Sequence, residues 1–206
     1  MKKYSFKISQ KDYFFILEVK RKRDTKEDYD FHKLDNKVGK IGENIITQFL
    51  KQRGWKVVSS EMTHIDKTEY IKFDIRATKN GIEKRFEVKT DLLISPGNET
   101  GNLFMEIEHK GHKSGIIATT SDYYITILFF KREIWIGESP ILRNLITHSN
   151  FRITKGGEYN KAIGALLPRM LYKNYFITKE FGDVHSFDLE IENKNFISTS
   201  QYQAVN

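Results

Sequence analysis

Asp74, Glu87 and Lys89 are the residues of this chain whose types and spacing suit chemistry, and all three lie in the stretch "KFDIRATKNGIEKRFEVKT". Read as strands, Ile71, Phe73 and Ile75 share one face and Lys72, Asp74 and Arg76 the other. After the turn "KNG", Phe86 and Val88 face one way and Arg85, Glu87 and Lys89 the other. Paired across that turn, Asp74 and the Glu87/Lys89 pair project from one face near one end of a sheet. Two neighbouring carboxylates in a poorly hydrated site do not both stay ionised unless a cation lies between them. A hard divalent ion such as Mg²⁺ suits oxygen ligands, activates water and neutralises charge on a phosphorane-like transition state. Lys89 would orient the attacking water or stabilise the developing charge. The chemistry so described is phosphodiester hydrolysis. The same alternation also suits an ordinary cross-strand pair of Asp74 with Lys89 on a solvated face, and the hairpin alone does not choose between them.

The elements that must position these groups follow from periodicity. "DNKVGKIGENIITQFLKQRG" carries Val38, Ile41, Ile45, Ile46, Phe49 and Leu50 at helical spacing, with Gly54 as a stop, so an amphipathic helix precedes the hairpin. "WKVVSS", "LFMEIEH", "YYITILFF" and "EIWIGE" read as strands, with "DLLISPGNETGN" and "GHKSGIIATTSD" as loops. "SPILRNLITHS" reads as a short helix with Ser139 as N-cap and Pro140 in its first turn. The chain beyond, from "FRIT" to "KNYFITKEF", reads as more strand than helix, with a frayed polar tail from about residue 198. At the other end, "KYSFKI" and "YFFILEV" suit a hairpin turning at "SQKD", while Ser9 and Asp12 suit a capping box ahead of a helix. "KRKRDTKEDYDFHK" reads as a solvated linker. This order predicts an α/β (α+β) chain with a central mixed sheet flanked by helices. It divides into an N-terminal extension or hairpin (1–35), a core (36–170), and C-terminal strands with a polar tail (171–206).

Glu43 in the helix, then Asp74, then Glu87-Val88-Lys89, in that order and on those elements, resembles the PD-(D/E)XK nuclease superfamily, with Phe73 where the proline of the name would stand. "GNLFMEIEHKGHKSGIIATTSDYYITIL" and "FRITKGGEYNKAIGALLP" resemble segments of its small phage-type and prophage-type nucleases, with Glu158 where an aspartate is more usual. The resemblance spans residues 38 to 168 and implies a restriction-endonuclease-like core. It implies Mg²⁺, with Mn²⁺ able to substitute, held by Asp74, Glu87 and the Val88 carbonyl, with Glu43 as a further acidic or water-mediated ligand and Lys89 at the attacking water. The activity implied is a metal-dependent DNA endonuclease acting on branched or foreign DNA.

Other residues fit around such a centre. Lys113, Ser114, Thr119, Thr120, Arg152 and Lys155 are donors suited to phosphate oxygens, and Gly111, Gly115, Gly156 and Gly157 permit close backbone approach. Glu106 and Glu108 alternate onto one strand face with Phe104, where Glu106 suits an outer carboxylate and a solvated edge suits both. His64, His109 and His112 lack metal-ligand spacing on one element, and "KGGEYNKAIG" is not a phosphate-cradling loop. Asp122, Tyr123 and Tyr124 read as the end of a turn, and Phe129, Phe130 and Trp135 as core.

The composition is compatible with this reading. Lys and Arg total 34 against 27 Asp and Glu, a formal charge of +7 and a pI near 9.3, which favours a polyanionic partner such as DNA. The absence of cysteine excludes a disulfide scaffold and thiolate metal sites. The basic start is followed by an apolar run too short for a signal peptide or membrane span, so a soluble, cytoplasmic protein is expected, with no membrane partner. One site cuts one strand, so duplex cleavage or junction resolution implies a homodimer. A nucleic-acid-binding module of the same fold without useful catalysis and an RNA-directed nuclease are the rival readings.

Overall fold

The computed structural model describes residues 4–25, 31–59, 73–94, 100–156 and 161–182. His64, Ile71, Lys72, Gly157, Glu158 and the tail beyond residue 198 lie outside them. The first element is a helix, α1 (Gln10–Thr25), not the hairpin. Its start is fixed by the two polar residues that left the reading open: Ser9 Oγ accepts from the Asp12 amide at 3.1 Å and donates to Asp12 Oδ2 at 2.7 Å. The charge-rich run is also helical through Thr25. Its charges pair at helical spacing, Lys20 with Asp24 at 2.6 Å and Arg21 with Glu18 at 2.9 Å.

Helix α2 (Phe31–Gln52) buries Val38, Ile41, Ile45, Ile46, Phe49 and Leu50 on one face. It ends where Gly54 takes a positive φ of 80° and the Trp55 amide returns to the Leu50 carbonyl at 3.0 Å. Lys37 of α2 reaches Asp12 at 3.2 Å and lies 4.1 Å from the Phe15 ring centroid, tying the two helices together.

The strands form two sheets. The larger is β1 (Lys56–Ser59), β2 (Ile75–Lys79), β3 (Ile82–Asp91), β6 (Tyr123–Leu128), β7 (Glu133–Glu138) and β10 (Phe176–Glu180), side by side in that order. All its neighbours are antiparallel except β3 and β6, which run parallel, so the sheet is mixed and the chain is α/β. The smaller, antiparallel sheet contains β4 (Asn102–His109), β5 (His112–Lys113), β8 (Arg152–Gly156) and β9 (Ala162–Pro168) in the order β5-β4-β9-β8. A one-turn helix α3 (Gly115–Ala118) precedes β6, and α4 (Ser139–His148) follows β7.

The β2–β3 turn has positive φ at both Asn80 (51°) and Gly81 (77°), the two-residue hairpin geometry that matches strand twist. It sets Lys79 opposite Ile82 and Ile75 opposite Phe86. One face of the larger sheet, with Phe86, Val88, Ile125, Ile127 and Ile134, is buried with α1 and α2. On the other face Tyr124, Leu128 and Trp135 pack with Leu103, Met105 and Leu167 of the smaller sheet and with Leu142 of α4. Burying apolar side chains at about 25 cal/mol per Å² on both sides of β6 and β7 makes this the rigid centre of the molecule.

Two local expectations change. The N-cap of α4 is Glu138, with Pro140 in the first turn. Ser139 is fully buried and its hydroxyl meets Ser121 Oγ at 2.8 Å. Phe73 does not share the face of Ile75: the chain bends at Asp74, and the Phe73 ring lies 5.4 Å from the Arg85 guanidinium on the polar face.

The contact that sets α2 against the sheet is between Gly42 and Thr90. A Cβ at Gly42 would lie 1.9 Å from Thr90 Oγ1 and 3.4 Å from Ile127 Cδ1. Rotating Thr90 only exchanges one branch for the other. Gly42→Ala is therefore expected to destabilise by about 1–3 kcal/mol through overpacking, although alanine gains about 1 kcal/mol over glycine in a helix. In a Thr90→Ala background the loss should largely vanish. Denaturant melts of the single and double variants measure this coupling, and additive effects would contradict the contact.

Candidate active site

Asp74 stands at the bend where β2 begins to pair. Its amide donates to the Phe86 carbonyl at 2.9 Å, and its Oδ2 accepts from the Val88 amide at 2.7 Å. The carboxylate thus takes the place of the next rung of the ladder. Because N–H and C=O of one strand residue point to the same side, the Val88 carbonyl also points towards β2, beyond that strand's first paired residue, Ile75. Asp74, Glu87 and the Val88 carbonyl are brought together by the end of a ladder.

Glu87 is 8 % exposed, in mid-strand between β2 and β6. Its Oε1 accepts from Lys89 Nζ at 2.7 Å, and its Oε2 is 3.3 Å from the Thr119 hydroxyl that donates to it. The Lys89 side chain keeps 40 % of its surface. Glu43 follows Gly42 on α2, so the close helix–sheet contact also carries its carboxylate to the site; it is 9 % exposed and paired with Lys40 at 2.8 Å.

Burial pushes the Glu43 carboxyl upward from the usual range, and the charges of Asp74 and Glu87 add to this against the pull of Lys40. Glu87 is likewise raised, by burial first; Lys89 pulls it down, Asp74 pushes it up again, and Thr119 favours the ionised form. Desolvation opposes the Lys89 charge, but Glu87, which also accepts its hydrogen bond, and Asp74 outweigh it, so the ammonium stays protonated above its ordinary range. Glu43, Glu87 and Lys89 thus all lie in the field of the Asp74 carboxylate.

Tyr124 occupies the position beside Glu87 on the parallel strand β6. Its hydroxyl is buried and has no hydrogen-bond partner among the described residues. Burial raises its pKa first; Lys89 lowers it, while Glu87, Glu106 and Asp74 raise it further, so it is a neutral phenol facing the carboxylates. The sequence pattern assigns Tyr124 to packing, and only the parallel pairing of β3 with β6 reveals its proximity.

A second feature is a file of buried hydroxyls. With the single Thr119 proton directed at Glu87, Thr119 Oγ1 meets Ser121 Oγ at 3.0 Å, and Ser121 Oγ meets Ser139 Oγ at 2.8 Å. Arg143 of α4 holds the chain there, bonding the carbonyls of Ile116 at 3.1 Å and Thr119 at 2.5 Å. Thr119 therefore supports Glu87 from within and does not present its hydroxyl to a phosphate.

The remaining donors are not gathered at one point. Lys113 is exposed on β5 and Arg152 and Lys155 are exposed on β8, opposite edges of the smaller sheet. Ser114 Oγ donates to Glu106 Oε1, and Thr120 is exposed. Gly115 has a φ of 50° and its Cβ position falls 2.3 Å from the Glu106 carbonyl, so this is a close backbone approach to β4. Glu106 and Glu108 do not share a face. A β-bulge sets Glu106 opposite Gly164 and Glu108 opposite Ile163, adjacent residues of β9 that point to opposite sides. His109 and His112 pair at the β4–β5 turn.

The donor set at Asp74, Glu87 and the Val88 carbonyl is all hard oxygen, which fits an ion such as Mg²⁺ that keeps several waters. The partnerless Tyr124 hydroxyl and the raised Glu43 and Glu87 are further marks of a place where a cation is favoured. Among the described residues no three His, Asp or Glu side chains stand together as a ready metal cage. The fit therefore rests on two carboxylates and a carbonyl, with Glu43 acting through its charge. Searches of the chain against protein-family models, curated proteins and solved structures found no match.

The raised Glu43 has a consequence for stability. Its folded-state pKa lies above the unfolded value, so its contribution is most favourable below about pH 4.5 and is lost as pH rises through the folded pKa. Glu43→Gln should melt higher than the native chain at pH 7, by about 2–4 °C for each kcal/mol gained, and the gap should close at pH 4. Melting curves at the two pH values check this; a native chain more stable than the variant at pH 7 would contradict it.

Proposed function

We propose that this chain is a metal-dependent DNA endonuclease with a restriction-endonuclease-like core. The observation that carries the reading is the end of the β2–β3 ladder, where Asp74 bonds the Val88 amide, Lys89 bonds Glu87 on the adjoining stretch of β3, and Glu43 feels the charge of both carboxylates. An ion pair on a solvated face, the plainer account of Asp74 and Lys89, does not explain this arrangement: Lys89 bonds Glu87, and Asp74 is spent on the Val88 amide.

In this reading Asp74, Glu87 and the Val88 carbonyl would hold Mg²⁺ or Mn²⁺, which supplies water activation and charge neutralisation. The amide of Val88 fixes the Asp74 carboxylate, leaving its second oxygen for the ion. Thr119 bonds one Glu87 oxygen and Lys89 the other, so an ion would share that carboxylate with them. Lys89 remains protonated at neutral pH and half-open to solvent, suited to orienting the attacking water and countering negative charge on the phosphoryl oxygens. Glu43 adds negative charge and, while protonated, a hydrogen-bond donor at the rim. No helix among the described residues is long and apolar enough to cross a membrane. One such centre cuts one strand, so a duplex break requires two copies.

A second reading, a nucleic-acid-binding module without useful catalysis, is favoured by one observation. Lysines already engage both buried glutamates, Lys89 on Glu87 and Lys40 on Glu43.

Incubation with supercoiled plasmid and with branched DNA in Mg²⁺ should give cleavage that falls by at least about 10²-fold in Asp74→Ala and Lys89→Ala. Unchanged cleavage in both variants would overturn the roles of Asp74 and Lys89. Calorimetry showing DNA binding with no Mg²⁺ or Mn²⁺ binding would favour the second reading.

A further inference from the structure

Two residues before Glu87 and two after Asp74, on the same face, Arg85 and Arg76 stand directly opposite each other in the β2–β3 register. Like charges directly opposed across an antiparallel pair are destabilising. Among the described residues nothing fully relieves this pair. Arg76 has Glu83 at 3.8 Å, beyond hydrogen-bonding distance, and its Nε–H is buried with no hydrogen-bond partner among the described residues. Arg85 is exposed, and its guanidinium lies over Phe73, 5.4 Å from the ring centroid. The nearest aspartate, Asp122, is engaged by Lys84 at 2.9 Å and by the Arg85 backbone amide at 2.8 Å.

We propose that Arg76 and Arg85 form a binding site for a phosphate of the nucleic-acid backbone, next to the phosphate being cut. The inference rests on the endonuclease reading for the word "cut" alone; the site itself stands on the arginine pair. Two strand residues span about 6–7 Å, comparable to the step between successive phosphates of one nucleic-acid strand. An anion bridging the two guanidiniums would remove their repulsion. Phosphate matches the planar guanidinium fork in shape and charge. Phe73 under Arg85 holds one fork in place before the ligand arrives, which limits the ordering cost of binding. The site is also open: the smaller sheet covers the larger one over β6 and β7, and Arg85 lines a shallow cleft of about 480 Å³ that runs to Thr119, the residue bonded to Glu87.

The test is binding of a short double-stranded oligodeoxynucleotide in EDTA, followed across salt concentration, for the native chain, Arg76→Gln, Arg85→Gln, Arg85→Lys and Lys173→Gln. Each arginine-to-glutamine change should lower the slope of log K against log salt by about one and weaken binding about tenfold at low salt. Arg85→Lys should keep the slope. Lys173→Gln, on an exposed turn away from the face, should change neither. Melting at low salt serves as the check on folding, and both glutamine variants should melt no lower than the native chain because the repulsion is gone. Arginine variants that bind like Lys173→Gln would overturn the proposal, as would a native chain that does not bind the duplex. Arginine-dependent binding without cleavage in Mg²⁺ would uphold the phosphate site and remove the endonuclease reading.

Discussion

A carboxylate enclosed in the middle strand of a sheet is the constraint around which this molecule is arranged. Glu87 is almost without solvent, and an ionised carboxylate in such a place is tolerated only with charged and hydrogen-bonding partners on it. Lys89 supplies the charge and Thr119 a hydroxyl. Ser121, Ser139 and Arg143 in turn hold Thr119. The partners of Glu87 come from β3 itself and from the segment after α3, and α4 holds that segment in place.

The sheet permits this because its two faces are used differently. Towards α1 and α2, β3 is ordinary core, with Phe86 and Val88 buried, and Gly42 lets the helix approach Thr90 closely. Towards the smaller sheet, cover stops at β6 and β7, and the β1–β3 portion carries Asp74, Arg76, Arg85, Glu87 and Lys89 instead of apolar residues. Parallel pairing of β3 with β6 then sets Glu87 beside Tyr124, at the boundary between covered and open face. A site at that boundary has dry walls that strengthen charge interactions and one open side through which a large ligand can arrive.

Much of this was legible in the sequence wherever a local rule fixed geometry. The Asn80-Gly81 turn accommodates only a two-residue loop, which sets the register and hence puts Ile75 opposite Phe86, the neighbours of Asp74 and Glu87. The apolar spacing of α2 and its stop at Gly54 were likewise local. What stayed hidden depended on contacts between distant segments or on single-residue irregularities. Tyr124 meets Glu87 only through a parallel pairing that no turn announces. The bulge in β4 separates Glu106 from Glu108, and the bend at Asp74 turns Phe73 to the polar face. In α1 the apolar run "YFFILEV" suited either period, and Ser9 with Asp12 decided the matter.

Several unfavourable terms among the described residues lie close to one another. Glu43 and Glu87 are raised by burial and by their neighbours, Arg76 faces Arg85, and the Tyr124 hydroxyl lacks a partner among the described residues. A fold selected for stability alone would scatter such defects or replace them with apolar groups of similar size. Here anionic groups lie at one end of the face and cationic groups two residues along it. A divalent cation would relieve the first set and a phosphate the second, and a phosphodiester with its metal brings both ligands together. This grouping of complementary strain, more than any single residue, is the ground on which nucleic-acid chemistry is proposed.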